Sequence, residues 1–170
     1  MPGNVYGLRM PAGVPGFVNR DQEATLEPNI LDTTNPPLAY GDPVKMGSNG
    51  KIQALAAGDT TSSIYGFLVR PYPASAQNYA APFGAVAPVP GKPCDVMKRG
   101  YMTVLVQGAT AAAPGGPVWV RVNGTPPSGG RLSGLEAAVD GTPANTPLVT
   151  GAYWKGAKDT DGNTEIAYNL

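Results

Sequence analysis

The stretch "YMTVLVQG", residues 101–108, decides the fold. Tyr101, Thr103 and Leu105 alternate with Met102, Val104 and Val106, so both faces of the run are largely apolar. A strand of that kind belongs inside a sandwich or barrel, with material packed on each side. Other strand-sized runs are 44–46, 52–55, 64–69, 118–122, 148–154 and 165–170. Between them lie "SNGK" (48–51), "VNGT" (122–125) and "TDGN" (160–163), whose Asn-Gly and Asp-Gly pairs accept the positive φ of tight turns. "LSGLEAAVD" (132–140) has Ser133 three residues before Glu136, a weak capping box; it reads equally well as a strand and loop.

"GDPVKMGSNG" (41–50) and "GGPVWVRVNG" (115–124) share a turn, a strand opened by proline, and Asn-Gly at the same offset. Two similar hairpins and chance in a Gly/Pro-rich chain explain the echo equally well. The 23 glycines and 19 prolines form about a quarter of the 170 residues, while apolar residues are 42%. The expectation is therefore an all-β domain, a compact β-barrel or jelly-roll-like sandwich with many turns, rather than low-complexity sequence.

Residues 1–42 read differently and are expected to form an extended N-terminal arm on a body spanning 43–170. Pro2, Pro11, Pro15, Pro28, Pro36 and Pro37 block helix and remove backbone donors. Phe17, Leu26, Ile30, Leu31, Leu38 and Tyr40 need a surface to lie on. Fully extended, forty such residues reach roughly 130 Å. Ordering them costs about 1–2 kcal/mol each, so before a partner supplies burial the arm should be disordered or docked on its own body.

Chemistry-bearing patterns are sparse. Charged residues are 14%, the formal net charge is zero, and histidine is absent. That removes His-dependent nucleophilic catalysis and His-ligated zinc, and it disfavours nucleic acid and anionic membranes as partners. The single cysteine, Cys94, has no evident base nearby and reads as inert. Asp21, Glu23, Glu27 and Asp32 lack the rigid cleft that paired catalytic carboxylates require. Asp159, Asp161 and Glu165 do not follow the order of a calcium loop. The sequon "NGT" (123–125) reads as a turn, because the N-terminus lacks the apolar core of a secretion signal. Neither catalytic, cofactor-binding nor metal-ligating residues are expected, and the chain is expected to fold in a cytosol. "YGFLVRPYP" (65–73) ends a buried-looking strand in a stiff hook, where Arg70 and Tyr72 have the chemistry of interface anchors.

The order of "GVPGFVNR" (13–20), "TLEPNILDTTNPPLAYGDPVKM" (25–46), "IYGFLVRPYP" (64–73), "DVMKRGYMTV" (95–104), "GGPVWVRV" (115–122) and "DTDGNTEIAYNL" (159–170) covers nearly the whole chain. In that order the chain resembles the structural cement, or capsid decoration, proteins of tailed bacteriophages. The resemblance implies a non-enzymatic protein on the outer surface of a phage head, assembled in the host cytoplasm and clamping neighbouring major capsid proteins. It also implies copies of itself as partners, with a trimer slightly favoured over a dimer. Arm residues Phe17, Leu26, Ile30, Leu31 and Tyr40, and hook residues Arg70 and Tyr72, are the expected partner contacts. The competing reading is a carbohydrate-binding or host-adhesion module, which would need Trp119, Tyr153 or Trp154 facing solvent.

Overall fold

The structure is a computed structural model that describes residues 12–71 and 87–170. Among the described residues, nine strands run in chain order: β1 Thr25–Ile30, β2 Pro43–Met46, β3 Ile52–Ala54, β4 Gly66–Leu68, β5 Pro93–Gln107, β6 Pro117–Val120, β7 Leu135–Glu136, β8 Leu148–Trp154 and β9 Asn163–Tyr168. The architecture is all-β, with a closed barrel and extra strands.

β5 organises both parts. Its second half pairs with β9 and β7, and the order β5-β7-β6-β8-β9 returns to β5 and closes the barrel. Its first half pairs with β1 on one side and β4 on the other, and β4 leads on to β2 and β3 in an open sheet. The switch is Gly100, at φ +136°; a Cβ there would lie 3.1 Å from the Ala24 Cα. Glycine meets that conformation and that close approach without strain.

The two-faced apolar run at 101–106 is explained by this placement. Met102, Val104 and Val106 point into the barrel core with Val118, Val120, Trp154 and Ile166. Thr103, on the opposite face, is also fully buried. β4 is buried on both faces for a related reason. Phe67 enters the barrel core, where its ring meets Tyr168 edge-on with centroids 5.0 Å apart. Leu68 enters a second core with Leu31, Tyr40, Val44, Ile52 and Val96. Neighbouring residues on one strand thus feed two cores, as the alternation of side chains requires.

Local turn chemistry holds in two of three places. Gly50 (φ +70°) closes the β2–β3 hairpin, and Gly162 (φ +84°) turns the chain before β9. "VNGT" does not make a tight hairpin: β7, the antiparallel partner that follows β6, begins only at Leu135. Residues 132–140 settle as strand and loop, with Ser133 at φ +62°. The echoed segments do each open a strand with proline, Pro43 and Pro117, but only the first continues into a tight hairpin.

Two strand features escape the sequence reading. They are β1, hidden by its proline, and the first half of β5, where Asp95, Lys98 and Arg99 break the apolar pattern.

Candidate functional site

Residues 12–31 form a strap that runs antiparallel along β5. Gly16 N–H donates to Thr103 O (2.8 Å), Thr103 N–H to Phe17 O (2.9 Å) and Asn19 N–H to Tyr101 O (3.0 Å). After a single 3-10 turn at Asp21–Glu23, β1 resumes the pairing from Thr25↔Arg99 to Ile30↔Pro93, with a register shift between Thr25 and Leu26. Side chains pin the first part. The Thr103 hydroxyl donates to Ala12 O (2.6 Å), and Ala12 N–H donates to Asp159 Oδ2 (2.9 Å). Asn19 and Arg20 both reach Glu165, at 3.0 and 3.2 Å, and the Arg20 guanidinium lies 3.8 Å from the centre of the Tyr101 ring.

Arg70 holds the strap from the other side. Its backbone N–H donates to Gly16 O (2.8 Å), its Nε donates to Pro15 O (2.9 Å), and its guanidinium stacks 4.8 Å from the Tyr40 ring centre. Burial pulls the Arg70 guanidinium below its usual value and pushes the Tyr40 hydroxyl above its own. Gly16 fits because a Cβ would fall 2.6 Å from the Tyr40 Cβ, and its φ is +91°.

The expected contact residues therefore divide. Leu31 (2% exposed) and Tyr40 (7%) are core residues of this chain, so neither presents a surface to a partner in this conformation. Arg70 (5% exposed) is turned inward onto the strap. Phe17 is half-buried. Tyr72 lies outside the described residues. Leu26 (43%) and Ile30 (48%) are exposed. On β1 they alternate outward with Pro28, while Glu27 and Asn29 turn half inward. Pro93 and Asp95, opposite Ile30 and Pro28, are exposed too. Among the described residues β1 pairs with no strand other than β5, so this apolar row lies on a sheet edge.

The acidic residues of the strap do not converge. Asp21 and Glu23 are exposed, and Glu27 accepts the Tyr65 hydroxyl at 2.5 Å. Asp32 accepts the Thr34 and Asn35 N–H groups, at 2.6 and 2.8 Å, and the Asn49 and Gln53 amides. Those donors, Asn35 first, hold its carboxyl far below the usual carboxylate range. Asp159 accepts backbone N–H groups at both oxygens, from Ala12, Asp161 and Asn163. Burial pushes the Cys94 thiol up to about 11, which keeps it from acting as a thiolate. Trp154 is 1% exposed and belongs to the barrel core; Trp119 and Tyr153 are partly buried.

A polar network carried no sequence signal, because its members come from four separate segments, at 42, 107, 121 and 131–140. Arg121 makes a two-pronged pair with Glu136 (2.5 and 2.9 Å) and a further bond to Asp140 (2.8 Å). Gln107 bridges Glu136 to the backbone of Arg131, whose own fork grips Asp42 at 2.6 and 3.0 Å. Burial pushes Asp42 up to about 6, with Arg131 opposing. These bonds tie Asp42, just before β2 of the open sheet, to the barrel.

A family model described as XM1 gp53 minor capsid protein matches residues 3–168. A solved structure described as the capsid of Myoviridae phage XM1 contains a chain with a TM-score of 0.68 and 17% identity. The match covers 98% of this chain and 96% of that one, and it shows a shared fold. No curated protein matches the chain.

Proposed function

Since the chain belongs to the XM1 gp53 minor capsid protein family and is a structural protein of a phage capsid, we propose that it decorates the outside of the shell. There it would clamp neighbouring major capsid proteins and associate with copies of itself. The exposed apolar row Leu26–Pro28–Ile30 on the free edge of β1 carries this reading. Exposed apolar edges are liabilities for a solitary protein, and a partner strand or surface removes the liability. The row supplies apolar area, and the strand's unpaired backbone can add hydrogen bonds, with Pro28 deciding where they cannot form. The docked strap lowers the entropic cost of binding, because the contact surface is ordered before the partner arrives. Repeated copies on a symmetric shell then multiply modest contacts.

The test is co-sedimentation with undecorated expanded heads from the same source. Removing residues 1–40 would also remove Leu31 and Tyr40 from the core, so a double substitution, Leu26→Asp with Ile30→Asp, is the cleaner probe. Wild type should saturate the heads, and the variant should bind about tenfold or more weakly while keeping its melting temperature. Equal binding would remove the β1 row from the mechanism. No binding by either protein would overturn the decoration reading itself.

A further inference from the structure

The chain holds two Asn-Gly pairs, Asn49–Gly50 and Asn123–Gly124, and the structure treats them oppositely. We propose that Asn123 is a site of spontaneous deamidation on the folded protein and that Asn49 is protected from it.

In this reaction the backbone nitrogen of the following residue attacks the asparagine side-chain carbonyl. Glycine favours it, having no side chain to obstruct the approach. The Gly124 nitrogen gives its proton to water or hydroxide and bonds to Cγ of Asn123. The Cγ–Nδ2 bond breaks, and Nδ2 takes a proton and leaves as ammonia. Water then opens the cyclic imide at either carbonyl, giving aspartate or isoaspartate. No oxidant or reductant is involved.

Both asparagines are exposed, so exposure does not separate them. Hydrogen bonding does. The Gly50 N–H, which must supply the attacking nitrogen, donates to Gly47 O at 2.9 Å. The Asn49 side chain is held at both ends: Nδ2 donates to Asp32 Oδ2 (2.7 Å), and Oδ1 accepts the Lys51 N–H (3.1 Å). Attack there requires breaking these bonds together. Asp161–Gly162 is restrained similarly, since the Gly162 N–H donates to Asp159 O at 3.1 Å. At the third pair, neither the Gly124 N–H nor the Asn123 carboxamide has a hydrogen bond among the described residues. The reason is topological: "VNGT" opens a long loop instead of closing a hairpin, so no turn claims the glycine nitrogen. Arg121 adds an electrostatic push. Its Nη1 lies 3.5 Å from Asn123 O, the carbonyl of the peptide bond whose nitrogen attacks. A cation there withdraws electron density and stabilises the deprotonated amide. The product carboxylate would join a cluster in which Arg121 already holds Glu136 and Asp140.

The experiment incubates the full chain in mildly alkaline buffer made with isotopically heavy water. Peptide mass mapping then follows heavy oxygen at residues 49 and 123, with Asn123→Gln as the assignment control. Asn123 should convert about tenfold or more faster than Asn49 in the folded protein. In denaturant the two rates should converge to within about threefold, because both pairs are then unrestrained. Equal rates in the folded protein, or an Asn123 that keeps its amide while Asn49 loses its own, would overturn the proposal. So would a tenfold gap that persists in denaturant, since the cause would then be local sequence and not the fold.

Discussion

The two halves of β5 are one continuous strand with opposite duties. From Gly100 to Gln107 it is a barrel stave, with Met102, Val104 and Val106 sealed in the core and partners on both edges. From Pro93 to Arg99 it carries β1, whose outer row of Leu26, Pro28 and Ile30 stays in solvent. The barrel half is closed and needs nothing further. The other half ends, among the described residues, in an unpaired edge, which is the edge proposed to take a partner. One strand can serve both roles because Gly100 lets the pairing change sheets without breaking the chain's path.

Damage to the closed half should cost most. Trp154→Ala empties the largest fully buried side chain in the barrel and should destabilise by about 3–5 kcal/mol, read by denaturant titration. A small loss there would mean that the barrel is not the main source of stability.

Gly16→Ala strikes the strap where it meets the open sheet. It forces a Cβ against Tyr40 and Arg70 at φ +91°, and should cost about 2–4 kcal/mol. Limited proteolysis near Arg20 should accelerate as the strap frays. If global stability falls without faster cleavage there, the strap and body unfold as one unit.

Asp42 tests the link between the open sheet and the barrel. Burial raises it from 3.8 to about 6 in the folded chain, so folding favours its protonated form. That contribution is fully present below about pH 4 and is lost as pH rises through about 6, a swing of about 3 kcal/mol. Asp42→Asn should flatten the stability profile across this window. An unchanged slope would mean that Arg131 compensates the buried charge completely.

The smallest effect on stability belongs to the β1 row. Leu26→Ser with Ile30→Ser should change unfolding free energy by less than about 1 kcal/mol, because both side chains are about half exposed. Loss of head binding without loss of stability would sharpen the contrast between the halves of β5.

Much of the barrel was legible because alternation is a local property. The run at 101–106 declares two buried faces, and 148–154 coincides with β8 residue for residue. β1 was hidden because Pro28 argues against a strand unless the position is an edge, and edges exist only in three dimensions. Leu26 and Leu31 are the same residue type five positions apart, yet one is exposed and the other buried. Nothing local distinguishes them: Leu31 is buried because Ile52, Leu68 and Val96 arrive from elsewhere in the chain. Arg70 declared itself as a cation at the end of an apolar strand, but its acceptors, the carbonyls of Pro15 and Gly16, lie more than fifty residues away.

The sequence by itself determined the all-β class, the absence of histidine chemistry, and the turn at Gly50, since composition and short-range sterics suffice for these. Only the tertiary structure decided which apolar residues of the strap became core and which stayed outside. It also decided which Asn-Gly pair is locked in a turn and which, among the described residues, leaves its glycine N–H without an acceptor. Burial and hydrogen bonding at those sites depend on partners brought together by the closure of the barrel, and that proximity is written in no single stretch of the chain.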